Sequence, residues 1–348
     1  MDPRKSTYSG WASLPPDLGY LITRKLLNLS DFVRFRAVCK AWRALVPVSD
    51  FPLGFPWILE ESTNLRGRLR FFCPSTGKVF TLTLPPQLQN MCCAPSPDGY
   101  LIFGERDWLL QDKRILFNPL TNHLVNLPFV EFPSYYDTKL LYRRGDYVVF
   151  SGTWCGLKKL AFFRLGNKRW IKECSVENTS CCLSHDGLFF SYKWRPWGTR
   201  IVDSATNVEI GFIESPKREE DEFVYLIESF GEILKVVIMN KTSHHIQFRI
   251  YKLAVHSGDG KLNHAWVQTD CIGDCVLFLR GKSCVSVKAS QFYKPLSNCI
   301  YYRNVLESGG SVICRYSIKD GETKEIPCIF ENWQFFVPNL HHPNSSGS

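Results

Sequence analysis

The sequence predicts a mainly β protein with a small α-helical head: three short helices, then a β-propeller-like body of six or seven blades. Three observations predict it. Helical periodicity is confined to residues 14 to 46. From about residue 55, short β-branched and aromatic runs alternate with polar turns. The first of those turns recur about every 45 residues, a spacing suited to stacked antiparallel units.

The head divides by its punctuation. Pro15 and Pro16 suit a first helical turn, and Asp17 complements the positive end of the helix dipole. Leu18, Leu21, Ile22 and Leu26 follow at helical spacing. The segment Asn28-Leu29-Ser30 breaks the pattern, with Ser30 expected as N-cap and Asp31 in the first turn of a second helix. Phe32, Phe35, Cys39 and Trp42 then recur at steps of three and four, while Arg34, Arg36, Lys40 and Arg43 fall mostly elsewhere. A break is expected between Val38 and Lys40, before a third helix. So small a unit is marginal unless it docks on something.

The body reads as hairpins. LRFFCPSTGKVFTLTLPP, RILFNPLTNHLVNLP, KKLAFFRLGNKRWIKE, TRIVDSATNVEIGFI and ICRYSIKDGETKEIP each hold two strand-like runs around a polar turn. The turns centre near residues 75, 120, 166, 205 and 320. Roughly 290 residues at about 45 per unit gives six or seven blades. No kelch double-glycine signature and no repeated Trp-Asp dipeptide appears. SPKREEDEF, residues 215 to 223, reads as an exposed loop, and LNHAW, SSGS and the first twelve residues as unburied. The ends of the body, residues 56 to 60 and 332 to 336, both resemble strands. They are expected to share one blade, because a ring that leaves its edges open invites aggregation.

Composition narrows the function. A chain of 348 residues with 45% apolar and 22% charged residues can bury a full core as a soluble globular protein. The net charge of +9 is spread without a Lys/Arg block, so no nucleic-acid partner is expected. No run approaches the roughly 18 apolar residues of a membrane span. The start, MDPRKSTYSGWAS, lacks the apolar core of a secretory signal, so the fourteen cysteines are expected as reduced thiols in the cytoplasm, the nucleus or both.

Bond chemistry finds little support. The sequence contains no GxSxG elbow, P-loop, HExxH or GxGxxG. Ser184-His185-Asp186 brings the triad residue types together, but as neighbours they cannot adopt triad geometry, and Asp186-Gly187 reads as a turn. Glu219 to Glu222 crowd one loop, which suits solvation rather than a glycosidase pair. Cys271 and Cys275 lack a second pair at zinc spacing, and His244-His245 and His341-His342 read as surface pairs. No metal or cofactor is called for. One stretch, YKWRPWGTR, fits two roles equally. Trp194, Arg195 and Trp197 form either an exposed target-binding platform or tryptophans packed between blades.

The head resembles an F-box. In LPPDLGYLITRKLLNLSDFVRFRAVCKAWRALV the family's opening Leu-Pro is Leu14-Pro15, the spaced aliphatics are Leu18, Ile22, Leu26 and Leu29, and the closing element is Val38-Cys39-Lys40-Ala41-Trp42-Arg43. The resemblance implies docking on a Skp-family linker protein, and through it on a cullin. Leu14, Pro15, Leu18, Ile22, Leu26, Leu29 and Val38 would serve as contacts, with Trp42 closing the small core. The body resembles the plant domain of unknown function found behind many plant F-boxes, including the KIB type, which restrains a kinase in hormone signalling. Gly273-Asp274 before VLFL, the strand from Ser283 to Val287, Asn298 to Tyr302, and Trp333 carry that likeness.

The organisation that follows is a flexible N-terminus over 1–12, an F-box over 13–47, a linker over 48–56, a β-propeller-like substrate-binding domain over 57–340 and a flexible tail over 341–348. The implied function is that of a non-catalytic substrate receptor in a Skp–cullin–F-box ubiquitin ligase, recruiting a protein target for degradation. A propeller hydrolase or lectin with a helical cap, and an F-box regulator that masks its partner without a cullin, are the rival readings.

Overall fold

The computed structural model describes residues 14–23, 25, 29–45 and, between 56 and 337, all but short internal stretches, the longest being 105–113 and 129–138. Three short helices come first: α1 (Pro16–Thr23), α2 (Leu29–Ala37) and α3 (Lys40–Leu45). α1 starts at Pro16, with the Gly19 amide donating to the Pro15 carbonyl at 3.0 Å. α2 begins at Leu29, one residue before the expected Ser30 cap. The break before α3 lies at Val38 and Cys39, within the stretch where it was expected. The Phe32-to-Trp42 stripe therefore spans two helices rather than one.

Among the described residues all other regular structure is β, apart from two short 3-10 turns. The two ends of the β body build the first sheet. β1 (Trp57–Glu60), β2 (Arg68–Cys73) and β3 (Lys78–Thr83) join the last strand, β25 (Trp333–Phe336), in the order β25-β1-β2-β3. The pairing of β1 with β25 is antiparallel, Trp57 opposite Phe336 and Glu60 opposite Trp333. The expected sharing of one blade by the two ends is thus observed.

The second sheet holds β4 (Cys92–Pro95), β5 (Leu101–Gly104), β6 (Arg114–Asn118) and β7 (His123–Leu127). The third holds β8 (Lys139–Arg144), β9 (Tyr147–Trp154), β10 (Leu157–Arg164) and β11 (Lys172–Val176). β12 (Thr179–His185), β13 (Leu188–Trp194), β14 (Trp197–Asp203) and β15 (Glu209–Glu214) form the fourth. The fifth is β16 (Phe223–Ser229), β17 (Glu232–Thr242), β18 (His245–Gly258) and β19 (Lys261–Thr269). In each, neighbours in sequence are neighbours in space and run antiparallel.

The remaining sheet departs from this meander. It has five strands, β20 (Cys275–Arg280), β21 (Ser283–Lys288), β22 (Cys299–Val305), β23 (Ser311–Ser317) and β24 (Thr323–Ile326), in the order β21-β20-β22-β23-β24. β20 and β22 are parallel. The expectation of six or seven blades is therefore corrected to five: among the described residues five sheets are four-stranded antiparallel blades, and the five-stranded sheet is built differently. First strands sit side by side around the ring. β12 lies beside β8 and β16, β16 beside β21, and β25 beside β20 and β4.

Turn chemistry matches the hairpins. The Asn118 carboxamide oxygen accepts from the amides of Leu120 and Thr121, at 2.9 and 3.2 Å, and Asn122 takes a left-handed φ of 56°. Asp203 accepts from the Thr206 amide at 2.7 Å. His185 stands opposite Leu188, so Asp186-Gly187 is a two-residue turn with both φ positive, 46° and 77°. The adjacent triad residue types are there to make that turn. LNHAW is corrected too. It lies in β19, paired with β18, and Trp266 is partly buried between neighbouring blades. The turn near 166, most of SPKREEDEF, the linker up to residue 55 and both chain ends lie outside the described residues.

Apolar side chains fill the gaps between sheets. Trp57, Phe71 and Phe336 pack with Leu101, Phe103 and Phe117 of the second sheet. Ile58 and Trp333 pack with Phe278 and Tyr301 of the five-stranded sheet. The fourth and fifth sheets share Leu183, Tyr192, Ile201, Val224 and Leu226. Close-packed aromatic interfaces of this kind supply most of the stabilising burial.

Asn298 pins the parallel crossover. Its side chain accepts from the Ile272 amide at 2.9 Å and donates to the Asp270 carbonyl at 3.0 Å. Its backbone bonds Cys275 and Ile318, and its φ is 58°, a conformation asparagine tolerates better than most residues. Asn298→Ala is expected to lower stability by about 1–3 kcal/mol, losing the side-chain bonds while adding strain. Asn298→Gly should cost less, because it loses only the bonds. Thermal melting of the two variants checks the order.

Candidate protein-interaction site

The head is built around a small aromatic centre. Phe32 and Phe35 of α2 are buried, and Trp42 of α3 stacks on Phe35 with centroids 4.4 Å apart. Cys39 caps α3. Its sulfur accepts from the Trp42 amide at 3.4 Å and its carbonyl from the Arg43 amide at 3.0 Å. Arg36 and Arg43 tie α2 to α3 reciprocally, each guanidinium donating to the other's carbonyl at 3.2 Å. Burial, and then the neighbouring Arg43 charge, hold the Arg36 guanidinium below its usual range.

α1 behaves differently. Its one buried residue among those described is Gly19, which faces Leu45 of α3 and Leu14. Leu18 is 49% exposed, Leu21 57% and Ile22 37%. At 100° per residue, these three share an arc of about 100° whose centre lies about 110° around the helix from Gly19. Tyr20 is exposed on another flank, and Val38 at the α2–α3 corner is 60% exposed. A helix that buries its glycine and exposes its large aliphatics leaves an apolar face that its own head does not cover.

Of the residues singled out in the sequence, Leu18 and Ile22 come together one turn apart. Leu14 is half-buried beside Gly19, Pro15 is exposed at the start of α1, and Trp42 is half-buried in the aromatic centre. Leu26 lies outside the described residues, as does the side chain of Leu29, whose backbone opens α2. Leu21 belongs to the same arc but was absent from the F-box contact set, although its helical spacing was visible. Tyr20 had no sequence signal.

The tryptophan stretch forms the tight link between β13 and β14, with Trp194 opposite Trp197. It lies at the opposite end of β13 from the Asp186-Gly187 turn. Trp197 is half-buried against the shared core of the fourth and fifth sheets, and its carbonyl accepts from the Ser215 amide at 3.0 Å. Two residues on, the buried Thr199 hydroxyl accepts the Trp266 indole N–H at 3.0 Å. Arg195 and the Trp194 side chain lie outside the described residues.

The β body matches the family model described as the KIB1-4 β-propeller over residues 71–331. The chain belongs to the KIB1-4 β-propeller family. The match takes in four of the four-stranded blades and the five-stranded sheet, and it bears out the likeness to KIB-type plant F-box proteins. Curated relatives match most of the chain's length. The F-box/kelch-repeat protein At1g57790 of Arabidopsis thaliana is 25% identical, covering 79% of this chain and 78% of the relative. F-box protein SKIP23 of the same plant is also 25% identical, with 80% of each chain covered. Among solved structures, TolB from Acinetobacter baumannii aligns over 80% of this chain and 65% of its own, at 10% identity and a TM-score of 0.45. That likeness is too loose to bear on function.

Gly198 follows Trp197 because the backbone there leaves no room. A Cβ at that position would stand 2.5 Å from the Ile213 carbonyl oxygen and 2.4 Å from the Phe212 ring. Gly198→Ala should destabilise the protein by roughly 1–3 kcal/mol through overpacking. It should also loosen the Trp197 turn, read as a lower melting temperature with a changed tryptophan emission.

Proposed function

We propose that this family member is a substrate receptor of a Skp–cullin–F-box ubiquitin ligase. On this reading residues 13–47 dock on a Skp-family linker protein, a linker over 48–56 follows, and the β body over 57–340 holds a protein target. The chain makes and breaks no bond itself. It raises the effective concentration of target lysines at a ubiquitin-charged enzyme, and the target is then degraded. It works where its thiols stay reduced, in the cytoplasm, the nucleus or both.

The observation that carries this reading is the exposed aliphatic arc of α1. Leu18, Leu21 and Ile22 gain nothing from exposure in an isolated protein, and the head bearing them matches the F-box pattern at both ends. Relatives aligned over most of the chain are named as F-box proteins. For the target, the Trp194–Trp197 link is the proposed contact, with Arg195 between the two tryptophans in sequence.

Replacing Leu18 and Ile22 together by Asp tests the docking. Burying each aliphatic is worth about 1.5–3 kcal/mol, and about 1.4 kcal/mol is tenfold in affinity. With unpaired charge added at the interface, affinity for the linker protein should fall by more than about a hundredfold. The β signal in circular dichroism should be unchanged. Near-native binding by a folded double variant would refute the docking.

A further inference from the structure

Ser215 is the first residue after β15, half-buried at the junction between the fourth and fifth sheets. It is followed by Pro216, Lys217 and Arg218. A serine followed by proline and then by basic residues is the pattern read by proline-directed protein kinases. Independently of that pattern, the fold points a cation at the Ser215 hydroxyl. Lys235 of β17 is only 3% exposed, and its ammonium donates to Ser215 Oγ at 3.3 Å. The same ammonium sits 4.5 Å from the Tyr251 ring centre and 5.1 Å from that of Trp266. The Lys235 stem is thus held by packing, and its charge has a fixed position.

We propose that Ser215 is a phosphoacceptor whose phosphate is held by Lys235, clamping the fourth blade to the fifth. In the transfer, Ser215 Oγ attacks the γ-phosphorus of ATP and the bond from that phosphorus to the β–γ bridging oxygen breaks. ADP leaves with the electron pair, and the hydroxyl proton passes to the kinase's base. The product carries three acceptor oxygens and a charge of about −1.5 to −2 where a neutral hydroxyl stood. An ammonium already within hydrogen-bond distance of Oγ then meets an anionic acceptor there, which adds ion-pair attraction to the hydrogen bond. The clamp also bears on the tryptophan link, because the Ser215 amide donates to the Trp197 carbonyl. The site itself stands whether or not that link contacts a target.

The test uses the full chain, a recombinant proline-directed serine kinase and ATP with magnesium. Mass spectrometry should place phosphate on Ser215, and Ser215→Ala should lose it. A phosphorus NMR titration of the modified protein then reads the second ionisation of the phosphate, which in free phosphoserine falls near pH 6. Next to Lys235 the phosphate should bind that proton at least about tenfold more weakly than in a free peptide containing SPKR. In Lys235→Met the difference should vanish. No incorporation at Ser215 in the folded protein would overturn the proposal. So would incorporation with the peptide's own titration in the wild-type chain, a comparison that needs no variant.

Discussion

A ring of sheets exists only if its first and last strands find each other, and here that burden falls on eight residues. β1 and β25 are four residues each, and they meet in one antiparallel register. Their side chains divide between the two adjacent interfaces. Trp57, Leu59 and Phe336 enter the core shared with the second sheet, while Ile58 and Trp333 enter the core shared with the five-stranded sheet. Without this pairing, β1 and β25 would each present open backbone groups to water, and the two adjacent cores would lose part of their cover. The closure also brings the start of the body, and so the point where the head is attached, onto a strand in the middle of a sheet. A docked head would therefore be anchored to the part of the ring that both chain ends stabilise.

The hairpins legible in the sequence share one position. The five that stood out are β2–β3, β6–β7, β10–β11, β14–β15 and β23–β24, each the outer pair of its sheet. The outermost strand of each faces solvent on one edge, so the turn leading to it carries Asn, Asp or Gly. An inner strand such as β5 is buried along its length, and such apolar runs look alike whether they begin or end a blade. The outer hairpin β18–β19 was missed because its turn residues sit between strands that look polar, and Leu262 to Trp266 read as surface. That omission made the interval between the turns near 205 and 320 seem irregular. The parallel insertion of β22 was not legible at all. It depends on one asparagine bonding segments distant in sequence, which no local pattern reports.

The head shows the complementary lesson. The periodicity of Leu18, Leu21 and Ile22 identified a helix with an apolar face but could not say which face the protein keeps for itself. The structure answers with Gly19. By placing its smallest residue toward α3 and its aliphatics outward, α1 packs closely inside and leaves the apolar arc available. The aromatic centre of Phe32, Phe35 and Trp42 was legible as spacing. Its division between two helices was legible as a break near Val38 to Lys40, but not the cap that sets it, because Cys39 caps α3 with a sulfur rather than with the oxygen that marks most caps. The tryptophan link gave less to sequence reasoning still. Trp197 serves the interior in part, through Ser215, and only three-dimensional neighbours reveal that.

Closure by β1 and β25 is the central claim, and amide hydrogen exchange measures it most directly. If these strands close the ring, the bonded amides among Trp57–Glu60 and Trp333–Phe336 should open only with the global unfolding that releases β5 and β6. Their protection should then match that of the second sheet. Fast exchange of β25, at the rate of a fraying terminus, while β5 and β6 remain protected would contradict the account.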